Sequence, residues 1–245
     1  FIQKMSSSPS SLEKITDFYD LARYYENNRD KPFSSWLRYK GPCGKSGKQG
    51  LVGLLSVEGT DQTIVFKVSQ YINYLIQHEY TVMKGLMNLA PFCPHFCKTL
   101  GIVSANTDPS TRKTGNPFEI GTKYPIENEV LLCEYIDQST KFYNYIRAVD
   151  RVPEETLYTT VEMVLMALAM AQKKQRFTHY DIHSFNIMMK KCQYDAVFLY
   201  VLDENNKFLV PTRGRYPVII DFGFSYISGM EDGPLWPSMG HTSVG

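Results

Sequence analysis

The chain has 245 residues, a length that at about 150 residues per domain allows one large domain or two small lobes. Its 26 Lys and Arg residues balance 25 Asp and Glu residues, so the net charge of +1 gives no bulk electrostatic reason to expect nucleic acid or an acidic membrane as a partner. Hydrophobic residues make up 43%, and the five cysteines follow no regular spacing, which excludes a disordered tail and a disulfide scaffold and favours reduced thiols in the cytoplasm.

The predicted elements begin with an amphipathic helix that ends near Asn27. Ser10–Glu13 has the pattern of a capping box, and Ile15 and Phe18 start a run of apolar residues at helical spacing. We assign this helix to an N-terminal extension, residues 1–36. Because the sequence begins at Phe1 and not at Met, we expect residues to be missing before it.

Residues 37–134 have mostly the pattern of strands, with one helix among them. Strands are predicted at 63–68, 100–104 and 130–135, and residues 71–89 have the periodicity of a helix that ends before Pro91. The polar stretch 106–128 is typical of a long connection or hairpin.

After residue 135 the chain is expected to become mainly helical. A short helix is predicted at 143–148 and a long one at 153–176, whose acidic first turn and basic last turn suit the helix dipole. Val161, Val164 and Leu165 are expected to form part of its buried face. Strand-like segments follow at 182–189, 196–202 and 216–221. The apolar stretch 164–171 is far shorter than the ~20 residues that cross a bilayer, so no transmembrane segment is expected.

Two short motifs combine carboxylate, amide and imidazole side chains. The first has the pattern H-x-D-x-x-x-x-N, with His179, Asp181 and Asn186, and the second is Asp221-Phe222-Gly223 after an apolar strand. In this order the motifs resemble the protein-kinase-like superfamily. The resemblance implies an α+β, bilobal protein-kinase-like fold, with a strand-rich N-lobe at 37–134 and a mainly helical, partial C-lobe at 135–245.

The resemblance assigns a role to each of these side chains. Asp181 accepts the proton of the substrate hydroxyl, and Asn186 and Asp221 hold the Mg²⁺ that bridges the ATP phosphates. His179 braces the loop against the second motif. Since the transfer needs little covalent help from the protein, positioning and charge neutralisation supply most of the rate acceleration.

The nucleotide-binding residues of such proteins have counterparts upstream. Lys67, in a predicted strand, matches the lysine that contacts the α- and β-phosphates. Val52 lies 15 residues before it, which places Gly50 and Gly47 at the last two glycines of a glycine-rich loop. Glu79, on the following helix, is the acidic residue that the resemblance pairs with Lys67.

The segment around residue 134 resembles the hinge that binds adenine through its backbone. The resemblance assigns Glu134 and Tyr135 to the hinge and Cys133 to the gatekeeper position. We expect ATP to lie between the two lobes, as ligands commonly do at such junctions.

Several features depart from the common kinase pattern. Tyr180 replaces the arginine of H-R-D, and His183, which we also assign to the catalytic residues, replaces a lysine two positions after the base. Asp181 and Asp221 are 40 residues apart, about twice the usual spacing, so residues 192–215 are predicted to form an extra hairpin. No A-P-E motif follows Asp221, and the substrate-binding helices of the large lobe are expected to be absent from this chain. The residue sequence around the first motif is similar to that of kinase-like proteins of large nucleocytoplasmic DNA viruses.

The sequence therefore favours an ATP-dependent phosphotransferase, with a Ser/Thr protein kinase as the first interpretation. We expect a substrate that carries a hydroxyl group, and a protein substrate is favoured over a small molecule. Nucleic acid is not expected to bind. The alternatives are a small-molecule kinase and a non-catalytic kinase-like scaffold or virion component. If the protein is viral, it is expected in the host cytoplasm or in the virion. A zinc site at Cys93, His95 and Cys97 is a minor alternative, because no second pair stands at finger spacing.

Overall fold

A computed structural model describes residues 15–43, 50–69, 73–111, 115–148 and 153–230. It divides into two compact units. The first comprises the described residues of 15–69 and 103–132, and the second those of 73–102 and 133–230. The predicted capping box Ser10–Glu13 and the loop residue Gly47 lie outside the described residues.

The first helix begins later than the apolar spacing indicates. Helix α1 spans Phe18–Asn28, and the Asp17 carboxylate caps it by accepting from the amides of Tyr19 (2.8 Å) and Asp20 (2.9 Å). Ile15 is buried ahead of the helix. The carboxylate satisfies two amides that lack partners in the first turn, and this local capping fixes the helix start.

A five-stranded sheet follows, most of it in the first unit. Its strands are β1 (Leu37–Pro42), β2 (Leu51–Val57), β3 (Thr63–Val68), β4 (Thr99–Thr107) and β5 (Ile126–Glu134), in the order β1-β2-β3-β5-β4. The predicted strands at 63–68, 100–104 and 130–135 are thus confirmed. Burial alternates along β2 and β3, so Leu55, Ile64 and Phe66 lie on a buried face while Val52 and Lys67 share the half-buried one.

Among the described residues, the second unit has three α-helices: α2 (Asn73–Leu86), α3 (Phe142–Ala148) and α4 (Glu154–Gln175). Their positions agree with the predicted helices, but the buried face of α4 differs. Met163, Ala167 and Ala171 are fully buried, whereas Val161 and Leu165 are 51% and 56% exposed. Apolar residues surround almost the whole middle of this helix, so its periodicity does not indicate which side is buried.

The remaining strands of the second unit are β6 (Ser139–Lys141), β7 (Ile187–Lys191), β8 (Val197–Val201), β9 (Lys207–Pro211) and β10 (Arg215–Ile219). One sheet has the order β10-β7-β6, and β8 pairs with β9 as the predicted extra hairpin. The segment 182–186 is a loop and not part of a strand, since β7 begins only at Ile187. The hairpin buries Tyr200 and Val210 against Met163 of α4.

Both ring nitrogens of His95 are engaged in the core of the second unit. Nδ1 donates to the Pro217 carbonyl (2.8 Å), and Nε2 accepts from the Tyr200 hydroxyl (2.6 Å). Burial lowers the pKa of His95 to about 4, so the ring is neutral and this tautomer is the consistent one. His95 is therefore a structural link to the hairpin. Within the described ranges, no helix is long and apolar enough to cross a membrane.

Candidate active site

The loop between α4 and β7 carries the first motif, and hydrogen bonds fix both of its ends. Thr178 and Tyr226 form an antiparallel bridge, with N–O distances of 3.0 and 2.8 Å. At the other end, the backbone amide of Asn186 donates to the His183 carbonyl (2.9 Å), and the backbone carbonyl of Asn186 accepts from the Ile220 amide (3.0 Å). The loop is thus held against the segment that contains the second motif.

His179 connects the two motifs through its ring and its backbone. Nδ1 accepts from the Asp181 amide (3.3 Å), and Nε2 lies 3.2 Å from the Ile220 carbonyl, to which it donates. The Ser225 hydroxyl donates to the His179 carbonyl (3.1 Å). Burial lowers the pKa of His179, so the ring stays neutral with one nitrogen as acceptor and the other as donor. The predicted bracing role agrees with these contacts.

Asn186 and His183 both approach the carboxylate of Asp181. The Asn186 side-chain amide donates to the Asp181 carbonyl (3.0 Å) and to its Oδ2 (3.2 Å). His183 Nδ1 accepts from the Phe185 amide (3.2 Å), and its Nε2 lies 3.3 Å from the Asn186 side-chain nitrogen and 3.6 Å from Asp181 Oδ2. Asn186 therefore holds one oxygen of a carboxylate whose side chain is still 40% exposed, and the His183 ring lies beside the same oxygen.

Strand register places Asn186 and Asp221 at one end of the β10-β7-β6 sheet. Ile187 pairs with Ile219, so the residue before β7 and the residues after β10 leave the sheet together. Asp221 has a φ of 65°, in the left-handed region that Asp tolerates better than most residues. At this turn the Asp221 side chain is exposed and the next side chain, Phe222, is fully buried.

Phe222 anchors the second motif in an aromatic cluster. Its ring centroid lies 5.5 Å from that of His179, 6.2 Å from that of Phe177 and 6.5 Å from that of Phe96. Its backbone amide donates to Oε1 of the buried Glu79 (3.2 Å), on α2. The glutamate that the sequence assigns to a lysine pair thus contacts the second motif itself.

The predicted hinge residues lie at the end of β5 and just after it. Glu134 is tied to Lys98 by three contacts: its amide donates to the Lys98 carbonyl (3.0 Å), Oε1 accepts from the Lys98 amide (2.9 Å), and Oε2 lies 3.1 Å from Lys98 Nζ. Tyr135 is 44% exposed, and Cys133 is buried with its Sγ 3.9 Å from Met83 Sδ. The side chain of Glu134 therefore fixes the backbone at this position.

The predicted phosphate-contacting residues belong to the first unit. Val52 and Lys67 are cross-strand partners on β2 and β3, and both side chains are half-buried on the same face. Gly50 is buried, and a Cβ there would overlap the carbonyl oxygen of Val68. Close approach of two backbones therefore accounts for this glycine within the unit.

Two polar residues of the site escaped the sequence analysis. Ser225 is fully buried and links His179 to α2, since the Ser225 carbonyl accepts from Nε2 of His78 (2.8 Å). Burial lowers the pKa of His78 and favours its neutral form. Ser225 lies two residues after the second motif, but a lone serine in a loop carries no signal of burial. A histidine on the apolar face of a predicted helix is the signal that could have drawn attention to His78.

The comparisons with known proteins give two viral relatives and a structural neighbour. The chain is 30% identical over 189 residues to Uncharacterized protein 038R of Invertebrate iridescent virus 3, covering 74% of this chain and 34% of that protein. It is 28% identical over 222 residues to Uncharacterized protein 098R of Invertebrate iridescent virus 6, covering 76% of this chain and 36% of the relative. The chain thus spans about a third of the length of the curated relatives it matches.

A crystal structure of a kinase domain is similar to 80% of this chain, and the match covers 52% of that domain with a TM-score of 0.52. At 17% sequence identity this likeness shows the fold. No protein-family model matches the chain. The chain has an α+β, kinase-like fold.

Proposed function

We propose that this chain carries out ATP-dependent phosphoryl transfer to a hydroxyl group, with protein Ser/Thr as the acceptor. The carrying observation is the pair of hydrogen bonds from the Asn186 side chain to Asp181, at 3.0 and 3.2 Å. A general base must be held in place and remain accessible to its substrate, and the hydrogen-bonded, 40% exposed Asp181 carboxylate supports this role. A small-molecule hydroxyl is the alternative acceptor.

Asp221 and Asn186 suit a magnesium ion bound with ATP. Mg²⁺ prefers oxygen ligands and usually takes one or two protein side chains together with substrate phosphates. The exposed Asp221 supplies a carboxylate, and the Asn186 amide nitrogen is engaged with Asp181, which directs its amide oxygen elsewhere. When bound, the ion neutralises charge on the phosphates.

The other assignments extend this proposal through the kinase resemblance. Lys67 is proposed to contact the phosphates, with Glu79 as its supporting acid, and Gly47, Gly50 and Val52 to cover them. Glu134 and Tyr135 are proposed to bind adenine through the backbone, and His183 to orient Asp181. The Lys67→Met variant tests the first of these, since it should weaken ATP binding without changing the secondary structure.

Thermal unfolding with and without Mg-ATP tests the nucleotide site. A ligand at 100 times its dissociation constant adds about 2.7 kcal/mol to the free energy of unfolding. The Asp221→Asn variant should lose the dependence on Mg²⁺, whereas Asp195→Asn, the same change at an exposed residue of the same unit, should keep it. Asp181→Asn should retain binding and lower the transfer rate at least about 100-fold, the scale of general base catalysis.

Absence of any Mg-ATP shift and of any transfer would overturn the proposal in favour of a non-catalytic scaffold. Transfer to small hydroxyl compounds without transfer to peptides would replace the protein substrate by a small molecule. The two iridescent virus relatives support a viral source, and so a location in the host cytoplasm or the virion. Mass spectrometry of purified virions and of infected cytoplasm tests that location.

A further inference from the structure

Helix α3 and the sheet beside it contain basic residues and no acidic ones. The ranges of β6, α3, β7 and β10 include no Asp or Glu. Their cations are Lys141, Arg147, Lys190, Lys191 and Arg215. In a chain with a net charge of only +1, this is a local excess of positive charge.

Three of these cations lie over aromatic rings. The distances to the ring centroids are 5.9 Å for Lys141 over Phe185, 5.2 Å for Arg147 over Tyr143 and 5.1 Å for Arg215 over Tyr145. We call these six residues the cation–aromatic cluster. Ring stacking pre-orders the long basic side chains, so less conformational entropy remains to be lost when an anion binds.

One end of the cation–aromatic cluster, formed by Lys141 and Phe185, adjoins the loop that carries the candidate base, whereas Arg215 lies at the opposite end of the β7–β10 pair. Phe185 immediately precedes Asn186 and is 43% exposed, and its ring stacks on that of Tyr143 with centroids 4.1 Å apart. The Tyr143 amide also donates to the carbonyl of Ser184, in the loop that carries Asp181 (3.0 Å). A peptide whose hydroxyl reaches Asp181 would therefore place its neighbouring residues near this cluster.

We propose that the cation–aromatic cluster selects acidic peptides, in which Asp or Glu residues flank the acceptor hydroxyl. This inference rests on the proposed function and specifies its substrate class. Arg147 and Arg215 offer planar, multi-donor groups that match carboxylates, and Lys141 adds a further positive charge. A peptide with basic flanking residues would meet like charge at the same surface and would be rejected.

The experiment compares two peptides that differ only in the residues flanking one serine, Glu in one and Lys in the other. For each peptide, kcat/KM for transfer from Mg-ATP and Kd from fluorescence anisotropy without nucleotide are measured on the full chain. The wild type is expected to favour the acidic peptide at least tenfold in both. This preference should shrink at 0.5 M salt, because exposed charges are screened there.

Arg147 is exposed, so its substitution tests the surface without disturbing the core. Arg147→Glu should abolish the preference, and Arg147→Gln, which keeps a long polar side chain, should reduce it. Lys207→Glu makes the same charge change at an exposed residue of β9 and should leave the preference intact.

Equal use of both peptides by the wild type, or an unchanged preference in Arg147→Glu, would overturn the acidic-peptide inference while leaving phosphoryl transfer established. An acidic preference in anisotropy without any transfer would overturn the proposed function alone and retain the surface as an acidic-peptide site.

Discussion

Substitution of Glu79 separates two physical roles for one buried carboxylate. The kinase resemblance assigns Glu79 to Lys67, and the structure gives the same carboxylate a second role, because its Oε1 accepts from the Phe222 amide at 3.2 Å. Glu79 is 4% exposed and Phe222 is fully buried, so this amide has no access to water once the acceptor is removed. Glu79→Ala removes the acceptor, and Glu79→Gln keeps a carbonyl oxygen in its place while removing the charge.

The expected losses differ enough to measure. A hydrogen bond to a charged group contributes about 1.5–3 kcal/mol, and the methylene lost in Glu79→Ala contributes about 0.8 kcal/mol of buried apolar surface. The alanine variant should therefore lose about 2–4 kcal/mol, and the glutamine variant less than about 1 kcal/mol. At about 2–4 °C for each kcal/mol in a chain of this size, Glu79→Ala should melt at least about 4 °C below the wild type.

Calorimetry of both variants, with the exposed Glu204→Ala as the matched control, gives these values directly. The control should melt within about 1 °C of the wild type, as surface substitutions change stability little. Equal destabilisation by Glu79→Gln and Glu79→Ala would refute the reasoning, because the charge of Glu79 would then matter more than its contact with Phe222.

Two further predictions concern stability. Gly50→Ala should lower the free energy of unfolding, measured in urea, by at least about 2 kcal/mol, because its Cβ would overlap a strand backbone. Gly121→Ala is the control: its Cβ would make one ordinary contact at 3.5 Å, so the free energy of unfolding should change by less than about 0.5 kcal/mol. Equal effects of the two substitutions would contradict the close approach at Gly50. Burial lowers the pKa of His95 from 6.5 to about 4 in the folded chain. Between these two pH values the unfolded chain binds more protons than the folded chain, so the free energy of unfolding falls as the pH falls. The contribution of this residue to that fall is about 3 kcal/mol. Urea unfolding from pH 7 to 4 should show a smaller loss for His95→Gln than for the wild type, and identical slopes would show that His95 does not titrate as described.

The sequence was most informative where chemistry and local pattern coincide. The first motif needs a carboxylate and an amide five residues apart, and the structure brings Asp181 and Asn186 into hydrogen-bond contact. The run of strand-forming residues at 63–68 and the doubled spacing between the motifs likewise predicted β3 and the extra hairpin. In each case neighbouring residues in the chain determine the feature, so no distant contact had to be known.

Features that the apolar pattern does not determine were beyond the sequence. The start of α1 is set by Asp17, and the apolar residues before it gave a misleading earlier start. The buried side of α4 is determined by the β8–β9 hairpin, which follows much later in the chain and packs on Met163. The bond from Phe222 to Glu79 joins residues 143 positions apart, and no local pattern indicates it.

The extra hairpin explains how the motifs can be 40 residues apart and still meet. β7 and β10 pair directly, from Ile187 with Ile219 at the motif end to Lys191 with Arg215 at the other, so the register near Asn186 does not depend on the length of the insertion. The hairpin leaves from the far end and is tied to α4, where Lys173 Nζ donates to the Leu202 carbonyl (2.7 Å). Because its core residues pack against α4, the insertion supports the helix that leads into the loop of the first motif. The added length therefore packs against α4 and leaves the strand pairing next to Asn186 intact.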